Sequence, residues 1–123
     1  MKRILVVEDH DEFRSIVNDL LQALLPGVQI SNARNGQEGL ALALAERPDL
    51  ILLDIQMPVM DGYEMALALQ EAYGDALPPL LAMTNARNSE LTIMRMKSIC
   101  KAVLMKPFSL DELEEAIGLT IDD

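Results

Sequence analysis

The chain has 123 residues, half of them hydrophobic, which suits one domain with a single buried core. Twenty acidic against ten basic residues give a formal net charge of −10, which disfavours direct binding to nucleic acid or to anionic lipid. No run approaches the roughly 18–20 apolar residues of a membrane span, and Met1-Lys2-Arg3 leads into a strand instead of a signal-peptide core, so we expect a soluble cytoplasmic protein.

Five short stretches are predicted to be β-strands. Four are apolar runs without alternation, the pattern of strands buried on both faces of a parallel sheet, at residues 4–7, 50–53, 80–83 and 102–105. The fifth, residues 28–33, alternates apolar and polar side chains, which is typical of an edge strand.

Helical patterns separate these strands. The first has apolar residues at the spacing of one helix face and stops at Pro26-Gly27; its apolar positions are Phe13, Ile16, Val17, Leu20, Leu21 and Leu24. The last begins with the capping box Ser109-Leu110-Asp111-Glu112. Further helices are predicted near residues 36–46, 62–73 and 89–99. Five successive βα units with right-handed crossovers predict a parallel sheet covered by helices on both faces.

The predicted fourth helix carries more apolar residues than one face can bury: Leu91, Ile93, Met94, Met96 and Ile99. We expect exposed apolar surface there, with Met94 and Met96 in it, and a possible use as a partner or dimer interface. Cys100, the only cysteine, leaves no internal disulfide or thiolate metal cluster and is expected to be a buried small hydrophobe.

Polar residues follow the apolar runs at four strand ends. Glu8 and Asp9 follow the first strand, Asp54 the third, Thr84 the fourth and Lys106 the fifth. The carboxyl ends of parallel strands open onto one crevice, where open α/β sheets bind their ligands. These five side chains are therefore predicted to converge.

The types of residue at this site limit the chemistry that it can perform. Carboxylates about 4 Å apart repel by about 4 kcal/mol per pair at an effective dielectric near 20, so a cation is expected among them. Oxygen ligands favour Mg²⁺, and a lysine and a hydroxyl suit phosphoryl oxygens. A carboxylate can itself accept a phosphoryl group. Asp54 is the predicted acceptor, between the acidic pair on one side and Thr84 and Lys106 on the other.

Four motifs carry these residues: ILVVEDHDEFR, DLILLDIQMPVMDG, LLAMTN and VLMKPF. Together they resemble the receiver domain of two-component response regulators across essentially the whole chain, residues 1–123. The resemblance implies a flavodoxin-like (βα)5 three-layer sandwich with a five-stranded parallel sheet in the order 2-1-3-4-5. It also implies a phosphoprotein that catalyses its own phosphotransfer and slow dephosphorylation without being a conventional enzyme.

The resemblance assigns roles to individual residues. Asp54 would take phosphoryl from the phosphohistidine of a sensor histidine kinase or histidine phosphotransfer protein. Asp9 and Asp54 would bind Mg²⁺ with help from Glu8, largely through water, and from the backbone carbonyl of Gln56. Two further sets follow from the family: the phosphoryl-binding residues Thr84 and Lys106, and the residues that tune phosphoryl lifetime, Gln56 and Ala86.

Residues around the fifth strand bear on signalling. The family implies a cis bond before Pro107 and an output surface formed by helix 4, strand 5 and helix 5, used for homodimers or downstream effectors. Val103 stands where the family usually has an aromatic switch residue, and Ile99-Cys100 where a Gly-Ala pair is common. We therefore expect signalling through backbone and helix-four shifts.

Three other functions are compatible with parts of the pattern. A flavodoxin-type flavin carrier would share the fold, but the acidic loop EDHDEF would repel its phosphate. A haloacid-dehalogenase-type phosphatase would use Asp9 as nucleophile and Asp11 as acid, although Phe13 departs from its motif. A receiver-like module that binds partners without phosphorylation is the third. His10 is interpreted as an ordinary loop residue, and the sequence leaves open whether the chain acts alone or belongs to a longer regulator.

Overall fold

Five parallel strands form the central sheet in the order β2-β1-β3-β4-β5, which confirms the predicted order and the edge position of β2. The computed structural model describes residues 1–85 and 87–120. The strands are β1 (Arg3–Val7), β2 (Gln29–Ala33), β3 (Leu50–Asp54), β4 (Leu80–Thr84) and β5 (Ala102–Met105). The helices are α1 (Asp11–Leu24), α2 (Gly36–Ala45), α3 (Gly62–Tyr73), α4 (Glu90–Lys97) and α5 (Leu110–Thr120), with a 3-10 turn at Gly74–Ala76.

Alternate residues of each inner strand enter two separate cores. Ile4 and Val6 of β1 face the core that α1 and α5 cover, whereas Leu5 and Val7 face the core beneath α2, α3 and α4. All five residues of β3 are buried. Because both faces of the sheet are covered, the inner strands show no polar alternation, which explains the continuous apolar runs.

The strand register aligns the polar residues at one edge of the sheet. Val7 pairs with Leu53 between β1 and β3, and Asp54 pairs with Met83 between β3 and β4. Thr84 pairs with Met105 at the end of β5, one residue before Lys106. The carboxyl ends of β1, β3, β4 and β5 therefore lie level with one another.

Helix α1 buries a narrower stripe than its sequence predicted. Val17 and Leu21 are fully buried and Phe13 packs beside them, but Ile16 is 52% exposed. The prediction that Ile16 lies on the buried face was wrong, because this position falls at the margin of the stripe. The predicted capping box of α5 is present: Ser109 Oγ accepts from the Glu112 amide at 3.1 Å, and the Glu112 carboxylate accepts from the Ser109 amide at 3.0 Å.

Helix α4 is shorter than predicted and its methionines differ in burial. Met94 is 66% exposed, as expected, but Met96 is completely buried in the core beneath α2, α3 and α4, so its predicted exposure was wrong. Residues 94 and 96 are two positions apart, about 200° around a helix, so the two side chains lie on opposite faces and only Met96 reaches the core. Cys100 is buried, and burial raises the pKa of its thiol to about 12.

No helix in residues 1–85 and 87–120 has the length and apolar character needed to cross a membrane.

Asp49 joins the amino ends of β1 and β3. Its Oδ2 accepts hydrogen bonds from the amides of Lys2 at 2.8 Å and Arg3 at 2.9 Å, and these two bonds hold the pKa of Asp49 below its usual range. A carboxyl with a lowered folded-state pKa stabilises the protein above its unfolded pKa of 3.8, and this stabilisation is lost as the pH falls through the folded-state value.

We therefore expect Asp49→Asn to lower the free energy of unfolding by about 1 kcal/mol at pH 7, a value that allows for solvent screening of this exposed site. The difference from the wild type should narrow below pH 3.8. Urea unfolding at pH 7 and at pH 3 measures both effects. Asp19→Asn, on the exposed face of α1, is the control, and an equal loss in both variants would contradict the role of Asp49.

Candidate functional site

The Lys106 ammonium lies between two buried carboxylates at the carboxyl edge of the sheet. It forms an ion pair with Glu8 and approaches Asp54 Oδ2 at 3.2 Å. Glu8 is 0% exposed and Asp54 2% exposed. Contact with Glu8 differs from our expectation, which placed the lysine across Asp54 from the acidic pair. A buried carboxylate needs a charged or hydrogen-bonding partner, and here one ammonium serves two carboxylates.

Two aromatic rings support the lysine. Lys106 Nζ lies 4.9 Å from the centre of the Phe13 ring, within the range of a cation–π interaction. Phe13 in turn contacts Phe108 edge to face, with ring centres 5.5 Å apart and planes at 88°. Sequence reasoning placed Phe13 in the core only, because nothing in its helical spacing shows which charged group its ring will meet.

Asp9 and His10 line the mouth of the site. Asp9 Oδ1 is buried and accepts no hydrogen bond within the described residues. His10 Nδ1 lies 3.4 Å from both this atom and Glu8 Oε2. The ligand atoms of these three residues lie within 4.8 Å of one another. His10, which the sequence indicated as an ordinary loop residue, is exposed but contacts both carboxylates.

The donor set fits a hard divalent cation. Carboxylate oxygens are the ligands that Mg²⁺ prefers, and Asp9 Oδ1 is an acceptor to which none of the residues in 1–85 and 87–120 donates a hydrogen bond. Asp9, Asp54 and Gln56 line one open cleft, together with His10, Asn85 and Arg87. A cation in this cleft would meet the free acceptor of Asp9 beside Asp54.

Arg14 fixes the backbone beneath the acidic pair. Its guanidinium donates to the Glu8 carbonyl at 2.8 Å and to Asp11 Oδ1 at 2.6 Å. The first bond joins α1 to the end of β1, so the loop that carries Asp9 is held at both sides. No role for Arg14 was predicted from the sequence, although its position three residues after Asp11 is typical of an ion pair within one helix turn.

The turn between β3 and α3 shapes the other wall. The Gln56 amide lies 3.4 Å from Asp54 Oδ1, and Asp61 begins α3 with a capping box to Glu64. Val59 has a φ of 72°, a conformation that β-branched residues rarely adopt, and the Met60 amide donates to the Pro58 carbonyl at 2.8 Å. This is a γ-turn, and it bends the chain sharply away from the cleft.

Thr84 is directed toward the loop after β4. Its hydroxyl accepts from Asn88 Nδ2 at 2.5 Å and donates to the Asn85 carbonyl at 3.2 Å. Within the described residues these are its only side-chain hydrogen bonds. The backbone is closer to the lysine, since the Lys106 amide donates to the Thr84 carbonyl at 2.6 Å. Thr84 therefore reaches the same edge as Asp54, but its hydroxyl is engaged elsewhere.

The remaining predicted residues lie around this edge. Val103 is half-buried in β5 and packs against the core beneath α2, α3 and α4. The Lys106-Pro107 peptide bond is cis. Gln56 is exposed at the cleft, and Ala86 lies outside the described residues. Asn88, which sequence reasoning did not name, is buried against Thr84.

Burial and, after it, the neighbouring Glu8 carboxylate raise the pKa of Asp54 to about 6, against the opposing effects of Lys106 and of the Gln56 amide. Asp54 is thus the acid whose ionisation the surroundings disfavour most clearly. Perturbed carboxyls in a cleft are frequent at functional sites, because the same isolation from water that raises the pKa strengthens interactions with a bound ligand.

Comparison with known proteins agrees with this geometry. A model of the response regulator receiver domain matches residues 4–118. The polar-differentiation response regulator DivK of Brucella anthropi is 33% identical, over 99% of this chain and 98% of DivK. The structure of the chemotaxis protein CheY4 of Vibrio cholerae is 29% identical, covers 98% of this chain and 99% of its own, and superposes with a TM-score of 0.85.

The chain belongs to the response regulator receiver family. Receiver domains are regulatory phosphoacceptors of two-component systems rather than classical enzymes. This assignment favours the phosphoacceptor interpretation over the flavin carrier and the phosphatase. The receiver domain spans 57% of a longer relative, the transcriptional regulatory protein PdtaR of Mycobacterium tuberculosis, which is 31% identical over 98% of this chain.

Gly62 lets α3 start directly against the strand that carries Asp54. A Cβ at this position would lie 2.3 Å from the Asp54 carbonyl oxygen and 2.9 Å from Ile55 Cα. Both contacts are with backbone, which cannot yield as a flexible side chain would. We expect Gly62→Ala to lower the free energy of unfolding by about 1–3 kcal/mol in urea titrations.

Gly118 provides the matched control, because a Cβ there would meet nothing within 4 Å and the residue lies in α5. Gly118→Ala should stabilise the receiver domain by up to about 1 kcal/mol, since alanine has the higher helix propensity. A Gly62→Ala variant as stable as the wild type would contradict the proposed close approach.

Asp54→Asn tests the raised pKa. Between pH 3.8 and about 6, the folded protein retains a proton that the unfolded chain has lost. Stability therefore falls as the pH rises through this range, and the neutral amide avoids that loss. In chelating buffer, Asp54→Asn should exceed the wild type by about 1–3 kcal/mol at pH 7 and match it near pH 4. A difference that is the same at both pH values would refute the assignment.

Proposed function

We propose that Asp54 is the phosphoacceptor of a two-component phosphorelay. The observation that carries the proposal is the placement of a buried carboxylate at the end of the central strand, 3.2 Å from the Lys106 ammonium and beside the acidic pair Glu8-Asp9. Family membership supports it, since receiver domains are phosphoacceptors. A carboxylate that is paired with a cation and lies beside further carboxylate oxygens, which can bind a metal ion, suits a site that accepts a phosphoryl group.

The reaction that we propose is a phosphoryl transfer from histidine to aspartate. An Asp54 oxygen attacks the phosphorus of a phosphohistidine, a P–O bond forms, and the P–N bond breaks. The electron pair returns to the imidazole nitrogen of the donor, which gains a proton. At pH 7 most Asp54 carboxyls are ionised, because the pKa of about 6 lies below that pH, and the acceptor is ready to attack.

Lys106 and Thr84 have the chemistry to hold the transferred group. The ammonium already lies beside an Asp54 oxygen and can follow a phosphoryl oxygen added there. The Thr84 hydroxyl can donate a hydrogen bond to a second oxygen once it leaves its present partners. These contacts favour the charge that develops on phosphoryl oxygens during transfer and hydrolysis. Gln56 and Ala86 are proposed to tune the lifetime of the product.

Mg²⁺ is the proposed cofactor and would offset the negative charge of the phosphoryl group and its carboxylate neighbours. Asp9 and Asp54 would hold it, with Glu8 in support and the Gln56 carbonyl as a backbone ligand. Asp9 Oδ1 supports this assignment, because it is buried and accepts no hydrogen bond in the part of the chain that the structure describes. Lys106 already neutralises Glu8, which leaves Asp9 as the more available acid.

The proposed phosphodonor is a sensor histidine kinase or a histidine phosphotransfer protein, and the proposed location is the cytoplasm. The output surface is formed by α4, β5 and α5, where Leu91, Met94 and Met105 are exposed apolar residues. Such a patch favours a protein partner or a second receiver domain. The net charge of −10 argues against nucleic acid as the direct partner of this domain.

The proposal predicts that one phosphoryl group is added to the protein, on Asp54. Incubation with Mg²⁺ and acetyl phosphate should add a single phosphoryl group by mass, which borohydride reduction and peptide mapping should locate at Asp54. Asp54→Asn should abolish the modification, and chelation of the metal should slow it strongly. Asp49→Asn, a carboxylate change immediately before the start of β3, should leave the modification intact.

A phosphoryl group located on Asp9 would instead support the phosphatase-like assignment. A protein that accepts no phosphoryl from acetyl phosphate or a histidine kinase, and whose partner binding is unchanged by Asp54→Asn, would support the phosphorylation-independent binding module.

A further inference from the structure

Asn88 holds the Thr84 hydroxyl in a buried hydrogen bond. Its Nδ2 donates to Thr84 Oγ1 at 2.5 Å, and the residue is only 8% exposed. The other end of the same amide, Oδ1, is buried without a hydrogen-bond partner in the described residues. Among the described residues, Thr84 is thus the one side-chain partner of this amide, at a distance short enough to fix both groups.

Asn88 also stands at the start of α4. Its amide donates to the Asn85 carbonyl at 3.2 Å, which closes a turn, and the next residue, Ser89, is the N-cap. Ser89 Oγ accepts from the Thr92 amide at 3.1 Å. The Asn88 side chain therefore lies one residue from the N-cap of α4.

We propose that Asn88 is a positioning residue that holds Thr84 away from the phosphoryl site and couples its release to the start of α4. This inference rests on the proposed function, in which Thr84 binds a phosphoryl oxygen on Asp54. To do so, the hydroxyl must redirect its proton from the Asn85 carbonyl and turn toward Asp54, and that turn carries Oγ1 away from Asn88 Nδ2. The Asn88 amide then has both Nδ2 and Oδ1 unpaired in a buried position, a state that costs free energy until the residue moves to water or to a new partner.

This arrangement provides a coupling that Val103 does not. Val103 is half-buried and its side chain has no hydrogen-bonding group or ring to follow the threonine. Asn88 has the amide, the burial and the connection to α4, on the same loop as Thr84. Movement of α4 would alter the surface that carries the exposed Leu91 and Met94. The hydrogen bond between Asn88 and Thr84 thereby links the phosphoryl site to α4.

Thermodynamic linkage predicts whether loss of the Asn88 contact strengthens or weakens phosphoryl binding. A contact that exists only in the unphosphorylated arrangement opposes binding of a phosphoryl group, so its removal should strengthen binding. Beryllofluoride with Mg²⁺ is a suitable probe, because it mimics the phosphoryl group on a carboxylate without turnover. For Asn88→Ala we expect about three- to tenfold tighter binding of beryllofluoride by calorimetry, the range of one net hydrogen bond.

A double-mutant cycle separates positioning from a structural effect. In the Thr84→Val background there is no hydroxyl to hold, so Asn88→Ala should leave beryllofluoride affinity unchanged. Asn18→Ala is the control, since Asn18 in α1 also has a buried, unpaired amide oxygen but does not touch Thr84. Asn18→Ala should bind beryllofluoride as the wild type does.

The outcomes distinguish this inference from the proposed function. A wild-type protein that does not bind beryllofluoride with Mg²⁺ overturns the proposed function. Normal wild-type binding, with Asn88→Ala unchanged or weaker, or with an equal gain in the Thr84→Val background, overturns the role of Asn88. If Asn88→Ala does not fold, NMR of the wild type decides: beryllofluoride must shift the Asn88 side-chain amide resonances, and unchanged resonances overturn the proposal.

Discussion

The ion pair of Lys106 with Glu8 and Asp54 is the constraint on which the site depends. Two carboxylates have been removed from water at the edge of the sheet, and each would be strongly unfavourable as an isolated charge. One ammonium serves both, so the lysine must project from β5 across β4 toward β3 and β1. The ring of Phe13 limits its freedom. Burial, together with the charge of Glu8, raises the pKa of Asp54, and the excess of negative charge favours a cation in the cleft.

The surrounding turns maintain this arrangement through backbone contacts. Arg14 binds the carbonyl of Glu8, and Gly62 allows α3 to begin against the carbonyl of Asp54. The strained Val59 directs the chain away from the cleft. Strain and close approach of this kind persist only where neighbouring elements fix the backbone. The sheet and its two cores provide that rigidity, while the loops provide the chemical groups.

The polar contact between Thr84 and Asn88 gives this receiver domain a route from the site to α4. The Thr84 hydroxyl accepts from Asn88 and donates to the Asn85 carbonyl, and the proposed bond to a phosphoryl oxygen requires it to turn away from both. Within the described residues Thr84 is the one side-chain partner of the buried Asn88 amide, so the loss of this contact is costly. The absence of a ring at Val103 therefore does not leave α4 without a physical link to Thr84.

The strands, the approximate helices and the polar residues at the strand ends could all be predicted from the amino-acid sequence. These features are local, since hydrophobic period, caps and strand-end position depend on neighbours along the chain. The contacts between the site residues could not be predicted in this way. Lys106 contacts Glu8, which lies 98 positions earlier in the chain. Met96 is buried while Met94 is exposed, and Asn88 donates a hydrogen bond to Thr84. Side-chain direction, register and burial arise when distant elements pack together, and no local pattern specifies them.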